Sequence, residues 1–235
     1  DTLHTLFSSP SQFFRKLEYE PSILLIFSTI KTIFKDGFQI AIFLFALLSV
    51  SLKMKAIPKM TEFLPYSLIL YFSSIYLLQD FTQIRAAVAS GFMLLSIPHI
   101  VNRDLKKFLL YVALAVIFHY SAIVLAPLYF LNTKHINKLL YVVLIGVAIT
   151  LAVLKFTPFD FILKYNLGIY TEKINNYIIG QQWEKREINI FNFSILLQIV
   201  IAVFFLFFAE KTNNKYAVIL TKIYSLGIVV FYLSS

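Results

Sequence analysis

Long apolar runs, separated by short charged stretches, dominate the chain. Runs at 22–34, 38–52, 63–80, 84–101, 108–131, 139–156, 191–209 and 216–233 each read as a helix. Several approach the roughly 20 residues with which a helix crosses a bilayer. The separators are basic: Lys53, Lys55 and Lys59; Asn102-Arg103-Asp104-Leu105-Lys106-Lys107; Asn132, Lys134 and Lys138; Glu210, Lys211 and Lys215. One polar stretch, about 158–190, is long and mixes both signs. There is no repeat and no low-complexity tract. The pattern predicts an all-α fold, a polytopic transmembrane helical bundle. It would form a single membrane domain over 1–235 with an external segment at about 158–190.

The basic separators set an orientation, because Lys and Arg collect in cytoplasmic loops. With 53–59 inside, span 63–80 exits, a tight turn at 79–83 lies outside, and span 84–101 returns to an inside Arg103, Lys106 and Lys107. Run 108–131 then breaks the parity if it crosses once. If instead it enters, turns near His119-Tyr120-Ser121 and returns, every basic loop lies inside and 158–190 lies outside. Each arm is then about 11 residues, too short to cross alone. The bend must be buried in protein or line a wet cavity, since irregular backbone cannot face lipid. Pro127 suits a broken arm; one long tilted helix is the alternative. Run 22–34 is short, carries Lys31, and reads as an interfacial or re-entrant helix on the outer side.

Composition supports the bilayer. Of 235 residues, 59% are hydrophobic and 14% charged, against about 45–50% and 25% in soluble domains, and mean hydropathy is +0.78. The absence of Cys excludes disulfides, thiolate nucleophiles and cysteine metal sites. The net charge of +9 reflects cytoplasmic loops rather than nucleic-acid binding, because no basic run exceeds a few residues. No His-Glu-x-x-His, carboxylate cluster, Asp-x-Asp pair or Gly-rich phosphate loop is present, so neither a metal nor any other cofactor is expected. The chain opens at Asp1 without an initiator Met and stops at an apolar run, which reads as part of a longer protein.

Two side chains stand out. Arg85 opens an apolar helix, Ile84-Arg85-Ala86-Ala87-Val88-Ala89, with Gln79, Asp80 and Gln83 just before it. The small residues Ala86, Ala87, Ala89, Ser90 and Gly91 allow a helix or ligand to approach closely. A guanidinium suits bidentate phosphate recognition; the plainer reading is a snorkelling Arg paired with Asp80. His119 lies within the longest apolar run, where an ionisable group is a functional hypothesis by default. It could act as a general base on a sugar hydroxyl, or simply bond a neighbouring helix. In the polar stretch, Tyr170, Lys173, Tyr177, Trp183 and Arg186 suit sugar binding, or anchor an amphipathic helix at the headgroups.

The order and spacing of Arg85, the basic loop 102–107, Phe118-His119-Tyr120-Ser121-Ala122 and Pro127 resemble the EpsG family of Wzy-like exopolysaccharide and O-antigen polymerases. Glu20-Pro21 resembles that family's acidic residue upstream of an apolar helix. The resemblance covers 20–133 well and the remainder only as a pattern of spans. Of the family's upstream Asp-x-x-x-Tyr element, Asp1 is present but Thr5 replaces Tyr, and the family's later C-terminal spans read as missing. The resemblance implies a metal-independent glycosyl polymerase in the bacterial cytoplasmic membrane, multi-pass, its site facing outward. Donor and acceptor would both be polyprenyl (undecaprenyl) diphosphate-linked oligosaccharides, with flippase and chain-length regulator proteins as partners. Arg85 would bind the diphosphate and His119 serve the attacking hydroxyl. Tyr120 and Ser121 would shape the site, and Gln79, Asp80 and Gln83 would buttress Arg85. The rival readings are an O-antigen ligase, a membrane O-acyltransferase using His119 from the other face, and a lipid-linked sugar transporter.

Overall fold

A computed structural model describes residues 20–34, 37–73, 80, 83–156 and 190–234. Among them there is helix and no strand, as the apolar runs predict. The α-helices are α1 (Pro21–Ile33), α2 (Phe38–Ala56), α3 (Leu64–Leu70), α4 (Ile84–Val101), α5 (Leu105–Phe118), α6 (Lys138–Val153), α7 (Phe193–Phe208) and α8 (Ala217–Leu233). Phe38–Lys59, Ile84–Val101 and Phe193–Lys211 are long and apolar enough to cross a membrane. Their outward faces are apolar: on α2, Phe43, Leu44 and Leu47 are exposed, while the buried stripe is Ala41, Phe45, Ser49, Lys53 and Ala56. A helix less polar outside than inside is stable only where the surroundings are hydrocarbon.

Two runs differ from their expected bounds. Helix α2 continues to Ala56, so Lys53 and Lys55 belong to the helix and not to a loop. Lys53 is tolerated there because it is buried against a carboxylate, Asp80. Within 63–80, the described part is the seven-residue α3 followed by a π turn at 71–73; 74–79 lie outside the described residues. The expected crossing by 63–80 is not what the structure has: Asp80 lies 2.8 Å from Lys53 Nζ, so the chain at 80 is back at the level of Lys53 and not a bilayer's thickness of about 30 Å away. Contacts divide the chain at Leu131/Asn132 into two compact units.

In the first unit, α4 and α5 form a hairpin whose turn is a Schellman motif. The Asp104 N–H donates to His99 O at 2.9 Å and the Arg103 N–H to Ile100 O at 3.2 Å. Arg103 takes the left-handed position, φ 57°, that glycine usually fills. The Asp104 carboxylate then caps α5 from the Lys107 N–H, at 3.2 Å. Run 108–131 is broken, and is not the one long tilted helix that was the alternative. Helix α5 ends at Phe118, His119 is extended (φ −153°, ψ 111°), and an 11-residue 3-10 helix follows over Tyr120–Phe130. That arm returns to its origin: the Arg103 guanidinium donates to Tyr129 O (2.7 Å) and Leu131 O (2.9 Å), and the Tyr129 hydroxyl to Arg103 O (2.8 Å). The lengths explain the closure. Fourteen residues of α-helix rise about 21 Å, and 11 of 3-10 helix rise about 22 Å.

In the second unit, α6, α7 and α8 pack through Ile145, Ala148, Ala152, Ala202, Ile228, Val229 and Tyr232. Its two basic separators share one end. Glu210 accepts from the Ile136 N–H at 2.6 Å, and Lys222 donates to the carbonyls of Asn132 and His135.

Candidate functional site

Glu20 precedes Pro21, and a residue before proline is steered to extended backbone; here φ is −61° and ψ 141°. Proline at the first helical position starts α1 without needing an N–H partner. The Glu20 side chain makes no cap to its own helix, which leaves both carboxylate oxygens for other partners.

Those partners are Arg85 and His119. Arg85 Nη1 donates to Glu20 Oε2, and His119 Nδ1 lies 3.2 Å from Glu20 Oε1. One carboxylate thus joins a guanidinium 65 residues away to an imidazole 99 residues away. Arg85 occupies the first turn of α4, where the macrodipole disfavours a cation; Glu20 supplies the negative charge that the helix end does not. His119 caps the C-terminus of α5, its N–H donating to Ala115 O at 2.8 Å.

Exposure separates the three roles. The Glu20 side chain is 8% exposed, Arg85 44% and His119 37%. The carboxylate forms the floor, while the outer parts of the cation and the ring are open to a ligand. A carboxylate only accepts, so its bond to Nδ1 needs the Nδ1–H form, and in the neutral ring Nε2 then carries the lone pair.

Small and aromatic side chains hold this arrangement. Ala89, Ala115 and Ala122 are buried together, bringing α4, α5 and the 3-10 arm close. Phe27, Phe45, Phe118 and Phe92 follow one another at ring-centre distances of 6.1, 6.0 and 5.7 Å. They tie α1, α2, α5 and α4 together through Phe118, the residue before His119, each pair adding about 0.5–1.5 kcal/mol beyond its burial.

The other expected residues fall differently. Asp80 does not pair with Arg85. It is fully buried and bonded to Lys53 Nζ (2.8 and 3.0 Å), Tyr71 OH (2.8 Å) and Ser49 Oγ; the cation on α2 is the one within its reach. Gln83 is the exposed N-cap of α4 and makes no side-chain cap. Tyr120 and Ser121 open the 3-10 arm beside His119, Ser121 exposed. Gln79, Tyr170, Lys173, Tyr177, Trp183 and Arg186, with Asp1 and Thr5, lie outside the described residues. In the sequence Glu20 is marked only by the resemblance of Glu20-Pro21 to the family's acidic residue upstream of an apolar helix, with no role in the site assigned to it.

The chain matches the EpsG family over residues 3–235. It belongs to the EpsG family. The match takes in both units and so extends well beyond the 20–133 stretch in which the sequence resemblance was concentrated. This EpsG-family chain is therefore a membrane protein of exopolysaccharide biosynthesis, in a family of membrane polysaccharide polymerases. No curated protein and no solved structure matches it.

Proposed function

We propose that this EpsG-family protein is a Wzy-type polymerase that joins polyprenyl-diphosphate-linked oligosaccharide repeat units, with Arg85, Glu20 and His119 as its reaction centre. The observation that carries the reading is the single carboxylate shared by a guanidinium and an imidazole. Glycosyl transfer from a diphosphate needs a cation on the leaving group and a base on the incoming hydroxyl, and both stand here side by side.

In the proposed reaction the acceptor hydroxyl oxygen attacks the anomeric carbon of the donor's diphosphate-linked sugar. The carbon–oxygen bond to phosphate breaks, and polyprenyl diphosphate departs with the electron pair. The hydroxyl proton passes to His119 Nε2, while Arg85 neutralises the charge that builds on the diphosphate. Glu20 keeps Nδ1 protonated and balances the imidazolium as it forms, the part a carboxylate plays behind histidine in hydrolytic triads. These three residues need no metal for the transfer.

The hairpin supports an outward-facing site in the cytoplasmic membrane, crossed several times by the chain. Arg85 lies 18 residues before Arg103 and His119 lies 16 after it, or roughly 27 and 24 Å along a helix. With the basic 102–107 loop on the cytoplasmic face, both side chains lie most of the way across a hydrocarbon core of about 30 Å. That is the leaflet from which flipped lipid-linked glycans would be drawn. The test is the lipid-linked glycan profile of cells lacking the gene. Accumulated single repeats support a polymerase; long chains left on lipid carrier would make it a ligase.

A further inference from the structure

We infer that Lys53 and Asp80 are positioning residues: their buried ion pair sets the place from which Arg85 reaches Glu20 and His119. Both are buried almost completely, at 1% and 0% exposure. Lys53 Nζ contacts both oxygens of Asp80, and Ser49 and Tyr71 supply one hydroxyl to each. A pair taken so far from water is rarely a net gain in stability over apolar packing. What a fully bonded network provides is a fixed position.

The position fixed is that of the chain entering α4. Asp80 lies five residues before Arg85, and α4 begins without a side-chain cap. Its first turn is instead referred to α2. Through Asp80 the entry is tied to Lys53 and Ser49, and at Gly91 the helix lies directly on Leu52. The same buried stripe of α2 carries Phe45, whose ring meets that of Phe118 edge-on at 6.0 Å, and Phe118 immediately precedes His119. One helix face thus gauges both the guanidinium and the imidazole. A shift of about an ångström at a reacting group can cost on the order of a hundredfold in rate, which gives a costly polar anchor its use.

The inference rests on the polymerase reading only for its activity arm, so two readouts are compared. The chain has no Cys, so Arg85→Cys with His119→Cys forms a clean pair for a short, rigid bis-maleimide. Cross-linking is measured with Lys53 and Asp80 intact, in the neutral double variant Lys53→Met/Asp80→Asn, and in the swap Lys53→Asp/Asp80→Lys. In parallel, the same changes at 53 and 80 are assayed for glycan elongation with Arg85 and His119 in place. The neutral double variant is expected to insert and melt like the parent, yet lose most cross-linking and about tenfold or more of kcat. The swap is expected to recover both. A neutral variant that cross-links and elongates like the parent would overturn the assignment. If the neutral variant fails to accumulate, a folded swap that does not recover cross-linking overturns it equally. Cross-linking that follows the pair in protein that elongates nothing would leave the positioning role standing and remove the polymerase reading.

Discussion

Glu20 and His119 are 99 residues apart and meet at 3.2 Å, the ring nitrogen Nδ1 against a carboxylate oxygen. The contact exists because run 108–131 does not cross as one helix. Had α5 continued past Phe118, the ring would have rotated with the helix and Tyr129 could not have returned to Arg103. The extended residue at the break turns the imidazole toward α1, and the 3-10 arm retraces the length of α5.

Glu20→Gln tests the floor of the site. The amide keeps the shape, removes the charge beside Arg85, and can donate to Nδ1, which favours the wrong tautomer. Polymer formation is expected to fall by about two orders of magnitude or more with the protein still inserted, measured from glycan ladders normalised to protein. Wild-type ladders would show that the carboxylate is dispensable.

Arg85→Lys should abolish most activity while melting close to the parent, because the side chain is 44% exposed and a point charge does not reproduce the planar fork. Titration with a soluble diphosphate-sugar analogue should show the affinity lost. An active Lys variant would mean that the fork is not what holds the donor.

Gly91→Ala tests the approach of α4 to α2. An added Cβ would sit 2.7 Å from Leu52 Cβ, so one helix must shift. Alanine gains up to about 1 kcal/mol in helix propensity, but overpacking typically costs about 1–3 kcal/mol. A net loss of stability and of activity is expected. Leu52→Gly in the same chain removes the contacted Cβ and should restore part of the activity, as read from elongation rates, though not the stability, because glycine inside a helix costs about 1 kcal/mol.

Arg103→Gly separates strain from clamping. Glycine relieves the left-handed backbone, about 1–2 kcal/mol, but removes the guanidinium bonds to Tyr129 and Leu131. Overall stability should change little, while amide exchange across 120–131 quickens. Acid should also loosen the hairpin. The Lys107 N–H bonded to Asp104 holds that carboxyl below its ordinary value of 3.8. The cap's contribution is therefore present above that value and lost as pH falls through the lower folded one. Exchange rates for 120–131 that do not differ between the parent and the Arg103→Gly variant would mean that the arm is held elsewhere.

Much of this was legible beforehand, for identifiable reasons. Arg85 and His119 stand nearly equidistant from the Arg103 turn, so a helical hairpin must bring them level. A turn near His119-Tyr120-Ser121 was one of two readings of run 108–131, one long tilted helix being the other, and neither Gly nor Pro marks the break itself. Three features were hidden. Asp80 lies close to Arg85 in sequence and was the natural partner by proximity, whereas the partner is Glu20, brought in by packing of α1. Lys53 resembles the end of a span because hydropathy counts its charge. Its place in the Ala41, Phe45, Ser49 spacing of four shows a buried helix face instead. The 3-10 geometry of Tyr120–Phe130 follows from the need to return over the length of α5, a tertiary demand that no local preference records.

The most direct measurement is elongation by purified protein in vesicles supplied with a lipid-linked repeat unit and no nucleotide, alongside its His119→Ala variant. The parent is expected to build a ladder of lengthening lipid-linked glycans. The variant should retain the lipid-linked donor and extend none of it. A ladder from the variant equal to that of the parent would contradict the proposed centre, and a parent that binds the repeat unit but never joins two would contradict the polymerase itself.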